Sequence, residues 1–165
     1  MSTLTKSKGN MYDWVDYTHS HLEGRCQHEC GYCYVQSMAK RFPNMQKKYS
    51  GEIRLDPESL KVKYPEDKTI FIDHLNDLFA HDVPEEIIED VLIHCCKHPK
   101  TEFVFQSKNP RRIFQFLMDL PESSTIGTTV ETNRVYDIQG KAPSPFSRIS
   151  GIAPLGHYKI GRAHV

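Results

Sequence analysis

The stretch CQHECGYCYVQS, residues 26–37, sets Cys26, Cys30 and Cys33 in the spacing Cys-x3-Cys-x2-Cys. Thiolates bind soft metals, and a short loop brings them within reach of one centre. A structural zinc site wants four ligands, and His28 inside the loop, or His19 or His21 just before it, could supply the fourth. A [4Fe–4S] cluster in a simple electron carrier also wants four cysteines. The other two, Cys95 and Cys96, fall at the far end of an expected helix and should point away. That leaves a three-thiolate cluster with one open iron, and an open position is what catalytic metal sites keep and structural ones close.

Around this loop the chain alternates strand and helix patterns. Residues 11–22, MYDWVDYTHSHL, read as a first strand, and residues 32–42 as a helix stopped before Pro43. Residues 51–55 suit a short strand. Thr69 to Asp73, rich in β-branched and aromatic residues, reads as a buried strand. Asp82 and Pro84 open a helix whose Ile87, Ile88, Val91, Leu92 and Cys95 keep one face. A strand over 101–107, a helix over 110–121 and a strand over 124–133 follow, and the Pro- and Gly-rich residues 141–156 read as loop. Such alternation implies βαβ crossovers and a parallel sheet, which a doubly wound fold or a piece of a (β/α) barrel would satisfy. In both, ligands gather at the C-terminal ends of the strands. The cysteine loop follows the first strand, while DHLNDLF (73–79), QSKNP (106–110) and VETNR (130–134) end later ones.

At 165 residues the chain has room for one domain with a real core. Lys+Arg and Asp+Glu balance at 21 each, so no strong global field advertises a polyanionic partner. The segment 39–54 does carry Lys40, Arg41, Lys47, Lys48 and Arg54 with Phe42 and Tyr49 interleaved, a pattern able to touch nucleic acid. A solvated helix end is the commoner explanation. The sequence has no apolar run of about 18 residues and no signal-peptide core at its start, so a cytoplasmic protein without a membrane partner is expected. Five clustered cysteines argue for metal or redox chemistry over a disulfide framework there. The last residues, KIGRAHV (159–165), resemble the translation of a sequencing adapter. The expectation is that 1–158 is the N-terminal part of a longer domain, truncated at its C-terminus, and that 159–165 is a non-native tail.

Cys26-x3-Cys30-x2-Cys33 after a strand and before a helix, with aromatic Tyr32 preceding the last cysteine, resembles the signature of the radical S-adenosylmethionine superfamily. The longer string CxxxCxYCYVQS is similar to the cluster loops of spore photoproduct lyase-like enzymes and of phage-encoded Gp37/Gp68-like proteins. NDLF with Val83 and Pro84, SKNP and VETNR resemble the phage group too. The resemblance implies a partial (β/α) barrel of parallel strands holding a [4Fe–4S] cluster on Cys26, Cys30 and Cys33. It further implies S-adenosylmethionine on the open iron, cleaved by one electron to start radical chemistry. The electron donor would be a flavodoxin or ferredoxin, and nucleic acid is among the candidate substrates.

The same resemblance suggests the cofactor contacts. Tyr32 would neighbour the adenine ring, or simply pack on the first strand. The family's glycine-rich stretch that holds the cofactor's amino group is absent, and Asn76 and Asp77 stand there instead. Asp77 could equally cap the following turn. Glu131 would meet the ribose, or pair with Arg134. Lys108 would meet the cofactor carboxylate, or remain a solvated loop lysine. A non-catalytic zinc- or iron–sulfur-binding module is the rival reading.

Overall fold

A computed structural model describes residues 4–8 and 12–155. Its centre is a mixed five-stranded sheet in the order β1-β2-β5-β6-β7. Strand β1 (Thr5–Lys6) runs antiparallel to β2 (Tyr17–His19). From there β2, β5 (Thr69–Ile72), β6 (Glu102–Gln106) and β7 (Ser124–Gly127) are all parallel. A separate ribbon pairs β3 (Leu22–Glu23) with β4 (Arg54–Leu55). The parallel sheet expected from the alternating pattern is therefore present, as an open sheet with β1 and β7 at its edges among the described residues.

Period-two burial makes the two faces of this sheet different. Ile70 and Ile72 of β5, Phe103 and Phe105 of β6 and Ile126 of β7 point to one side. There they meet Ile88, Val91, Leu92 and Cys95 of the helix Glu85–Cys96. Phe71 and Val104 point to the other side and meet Val15 and Tyr12. The crossover helices thus cover one face, and the opposite face is left with a much smaller apolar patch.

The helices are α1 (Tyr34–Arg41), α2 (Pro43–Lys48), α3 (Glu85–Cys96), α4 (Pro110–Ile113) and α5 (Pro145–Ile152). Pro43 both ends α1 and opens α2, since proline lacks the N–H a continuing helix needs but fits a first helical position. Glu85 and Glu86 sit in the first turn of α3, where the helix dipole favours negative charge.

Four sequence expectations need correction. The first strand is three residues, not the whole of 11–22: Val15 bonds back to Tyr12 in a turn, and Leu22 leaves for the second ribbon. The strand expected over 124–133 ends at Gly127. The helix expected over 110–121 is α4 followed by one tighter turn, Phe114–Phe116. Residues 141–156, expected to be loop, contain α5: the Ser144 hydroxyl accepts the Ser147 N–H and Pro145 fills the first helical position. The expected tail at 159–165 lies outside the described residues. Among the described residues no helix is long and apolar enough to cross a membrane.

Candidate cluster and cofactor site

A cavity of about 370 Å³ opens at the C-terminal ends of the parallel strands. Cys26, Cys30 and Cys33 line it, together with Tyr32. So do Asn76 and Asp77 from beyond β5, Lys108 from beyond β6 and Glu131 from beyond β7. All eight residues singled out from the sequence meet there. Phe71, on the sheet face turned away from the helices, forms part of the wall.

The cysteine loop is fixed on both sides. On one side, Gly31 N–H donates to Ile138 C=O at 2.8 Å, Lys141 N–H to His28 C=O at 2.7 Å, and Lys141 Nζ reaches Glu29 at 2.8 Å. Gly140 has φ 63°, and a Cβ there would lie 2.4 Å from His28 O, so only glycine fits. On the other side, His28 Nε2 meets Asp77 Oδ2 at 2.7 Å, both side chains being buried. Cys30 is buried and Cys26 and Cys33 half-buried. Burial pushes the Cys26 thiol up to about 12, with the Asp77 charge adding and a hydrogen bond from the His28 N–H opposing. A metal binding there would displace a proton.

Among the described residues no three His, Cys, Asp or Glu side chains gather around a point that could hold a single ion. The three histidines offered as a fourth zinc ligand each have partners of their own. His28 is engaged by Asp77. His19 and His21 lie fully buried in a network with Tyr64, His94 and Asp73.

The other wall residues are tied together. The Tyr32 hydroxyl donates to Glu131 and contacts Cys30. Burial, then the hydrogen bonds to Glu131 and Cys30, raises its pKa above the ordinary phenol value, so it remains a donor. Lys108 Nζ stands 3.6 Å from Glu131 and 5.6 Å from the centre of the Tyr32 ring. Glu131 pairs with Arg148 at 3.3 Å rather than with Arg134. Asp77 accepts the backbone N–H groups of Lys108 and Phe79 besides His28. Its burial would raise the carboxyl's pKa, but these partners outweigh it and hold the group below the usual range. Asn76 is different: it is buried, its Oδ1 has no hydrogen-bond partner, and it lines the cavity. An orphaned buried acceptor is costly unless a ligand satisfies it.

Backbone strain gathers at the same place. Of the four non-glycine residues with left-handed φ among those described, Glu29, Asp73 and Glu131 line the cavity. Such conformations cost free energy and persist where the surroundings impose them, commonly at functional sites.

Several contributors went unrecognised in the sequence. Gln106 joins Tyr12 at 2.6 Å and Thr129 at 2.6 Å, and its place as the polar residue ending an apolar strand run was a usable signal. Arg148 is fully buried, bonding Thr129 C=O at 2.9 Å and Pro143 C=O at 2.6 Å. It sits on α5, in a stretch whose prolines and glycines read as loop, so no pattern points to it. Cys95 and Cys96 lie at the end of α3, outside this cavity, the first buried and the second exposed.

A family model described as Protein of unknown function (DUF5131) matches residues 10–142. Comparison with curated proteins finds no match. Among solved structures, a spore photoproduct lyase variant with the dinucleoside spore photoproduct aligns with a TM-score of 0.61 and 15% identity, covering 97% of this chain and 47% of that one. A variant of the same enzyme with bound AdoMet and the dinucleoside spore photoproduct aligns with a TM-score of 0.56 and 14% identity, covering 96% and 49%. At such identity the likeness is one of fold. The chain spans about half the length of these structures.

Proposed function

The chain belongs to the DUF5131 family, and on that footing we propose that it is the cluster-bearing part of a radical S-adenosylmethionine enzyme on a partial (β/α) barrel. The observation that carries this reading is the shared cavity: three cysteines in the Cys-x3-Cys-x2-Cys spacing face the ends of three parallel strands across it. The fold likeness to an enzyme whose structure holds bound AdoMet supports it.

In this reading Cys26, Cys30 and Cys33 hold a [4Fe–4S] cluster. When bound, the cluster supplies the electron that cleaves S-adenosylmethionine and starts radical chemistry. The chain's own residues bind and orient. Asn76 Oδ1, a buried acceptor without a hydrogen-bond partner, takes an N–H of the cofactor's amino group. Lys108 offers a cation to its carboxylate. Tyr32 presents a ring beside it, steadied by the hydroxyl bond to Glu131. Glu131 is held by Arg148, Lys108 and Tyr32, and orders that wall. Asp77, its acceptors already engaged, acts from behind rather than on the cofactor. An acidic flavodoxin or ferredoxin would deliver the electron. A nucleic acid substrate is in keeping with the dinucleoside bound by the fold neighbours.

Anaerobic reconstitution with iron and sulfide, followed by dithionite and S-adenosylmethionine, tests the reading. Four irons per chain and release of 5′-deoxyadenosine are expected. Zinc uptake without iron–sulfur absorbance would replace it by the binding-module reading.

A further inference from the structure

Resting on that assignment of the three cysteines, the geometry points to His28 as the positioning residue of the cluster loop, gripping Asp77 as its anchor. His28 lies between Cys26 and Cys30, so whatever fixes it constrains both sulfurs. Its N–H, its C=O and its imidazole each bind a different part of the molecule. The N–H donates to the Cys26 sulfur. The C=O accepts the Lys141 N–H at 2.7 Å. The imidazole Nε2 meets Asp77 Oδ2 at 2.7 Å.

Asp77 passes this restraint to the sheet. The oxygen that meets His28 also accepts the Lys108 N–H at 2.7 Å, just beyond β6, and the other accepts the Phe79 N–H at 3.1 Å. One buried carboxylate therefore joins the cysteine loop to the segments following β5 and β6. With side-chain exposures of 7% and 9%, the His28–Asp77 pair is shielded from competing water. Without the imidazole, Asp77 would lose a side-chain partner while remaining buried. The strut also fits the strained backbone at Glu29, φ 51°, which turns the chain back toward Cys30. Residues that orient metal ligands from behind in this way govern affinity without touching the metal.

The test uses the whole chain, reconstituted anaerobically. His28→Phe keeps ring volume but removes the N–H, whereas His28→Gln keeps a donor. Iron per chain on titration with a competing chelator, and the electron paramagnetic resonance signal of the reduced cluster, are compared with wild type. Circular dichroism of the metal-free chains reports the fold separately. His28→Phe is expected to weaken cluster retention by about tenfold, the scale for a residue that orients a metal ligand, and to shift the resonance signal. His28→Gln should recover most of both. If His28→Phe does not fold, Asp77→Asn, which keeps shape but not charge, should show the same loss. Wild-type iron retention and signal in whichever variant folds would overturn the strut. Cys30→Ala separates this from the underlying reading: iron lost there but kept in His28→Phe defeats the strut alone. Iron kept in Cys30→Ala defeats the ligand assignment and the strut together.

Discussion

Changing any one of Cys26, Cys30 or Cys33 to alanine should reduce reconstituted iron to background, because in the proposed cluster each thiolate would be the sole protein ligand of its iron. Cys95→Ala should keep full iron and lose about 1 kcal/mol of stability, since that side chain is fully buried against the sheet. Cys96 is exposed, and Cys96→Ala should change neither. Iron quantification and denaturant titration of the five variants check this. Asn76→Ala should weaken S-adenosylmethionine binding by roughly tenfold, or about 1.4 kcal/mol, the scale of a lost buried hydrogen bond. Calorimetric titration of the reconstituted chain would show it, and an unchanged affinity would remove Asn76 from the contact. At this scale the sequence was informative about position and silent about pairing. Asn76, Asp77, Lys108 and Glu131 were legible because polar residues following parallel strands must share one rim, and Tyr32 through the resemblance of its loop. That Asp77 turns to His28, 49 residues away in sequence, leaves no mark on either residue's neighbours.

Among the elements, α5 carries the sharpest expectation. Ser144→Ala removes the hydroxyl that accepts the Ser147 N–H and should cost about 1 kcal/mol, read as a lower denaturant midpoint. Because Arg148 lies one turn further and reaches Glu131, the same change should also loosen the cavity wall. Hydrogen exchange at Glu131 and Thr132 would report it, and unchanged exchange would detach the helix from the site. This element was hard to read because its signals are local while its composition misleads. Three prolines and two glycines in 141–156 suggest loop, yet one proline opens the helix and Gly151 lies inside it, close to the Arg111 backbone. The strands β5 and β6 were legible for the opposite reason. Buried on both faces, they read as continuous apolar runs. Strand β2 could not be delimited by pattern, because the residues before it form a turn whose aromatic side chains still alternate.

Across the whole molecule, acid should destabilise the fold well before the carboxylates titrate. Beneath the sheet, His19, His21, His94 and Tyr64 pack together beside Asp73, with His98 against Tyr64. Burial, helped by the neighbouring imidazoles, pushes His19 down to about 3 and His94 down to about 4. In the unfolded chain both titrate near 6.5. The unfolded state therefore binds more protons between these values, so this contribution is complete above pH 6.5 and is lost progressively as pH falls toward 4. At pH 5 each of the two should cost about 2 kcal/mol relative to pH 7. A denaturant midpoint unchanged between pH 7 and pH 5 would contradict it. The contacts that seat the cysteine loop carry a further consequence, one of timing. Its outer brace is the segment around Gly140 and Lys141, roughly a hundred residues downstream. On a ribosome adding about 5–20 residues per second, the three thiols emerge on the order of 5–20 s before that brace exists. Over that interval the three thiols have no brace to seat them, and the loop can close only once the downstream segment has emerged.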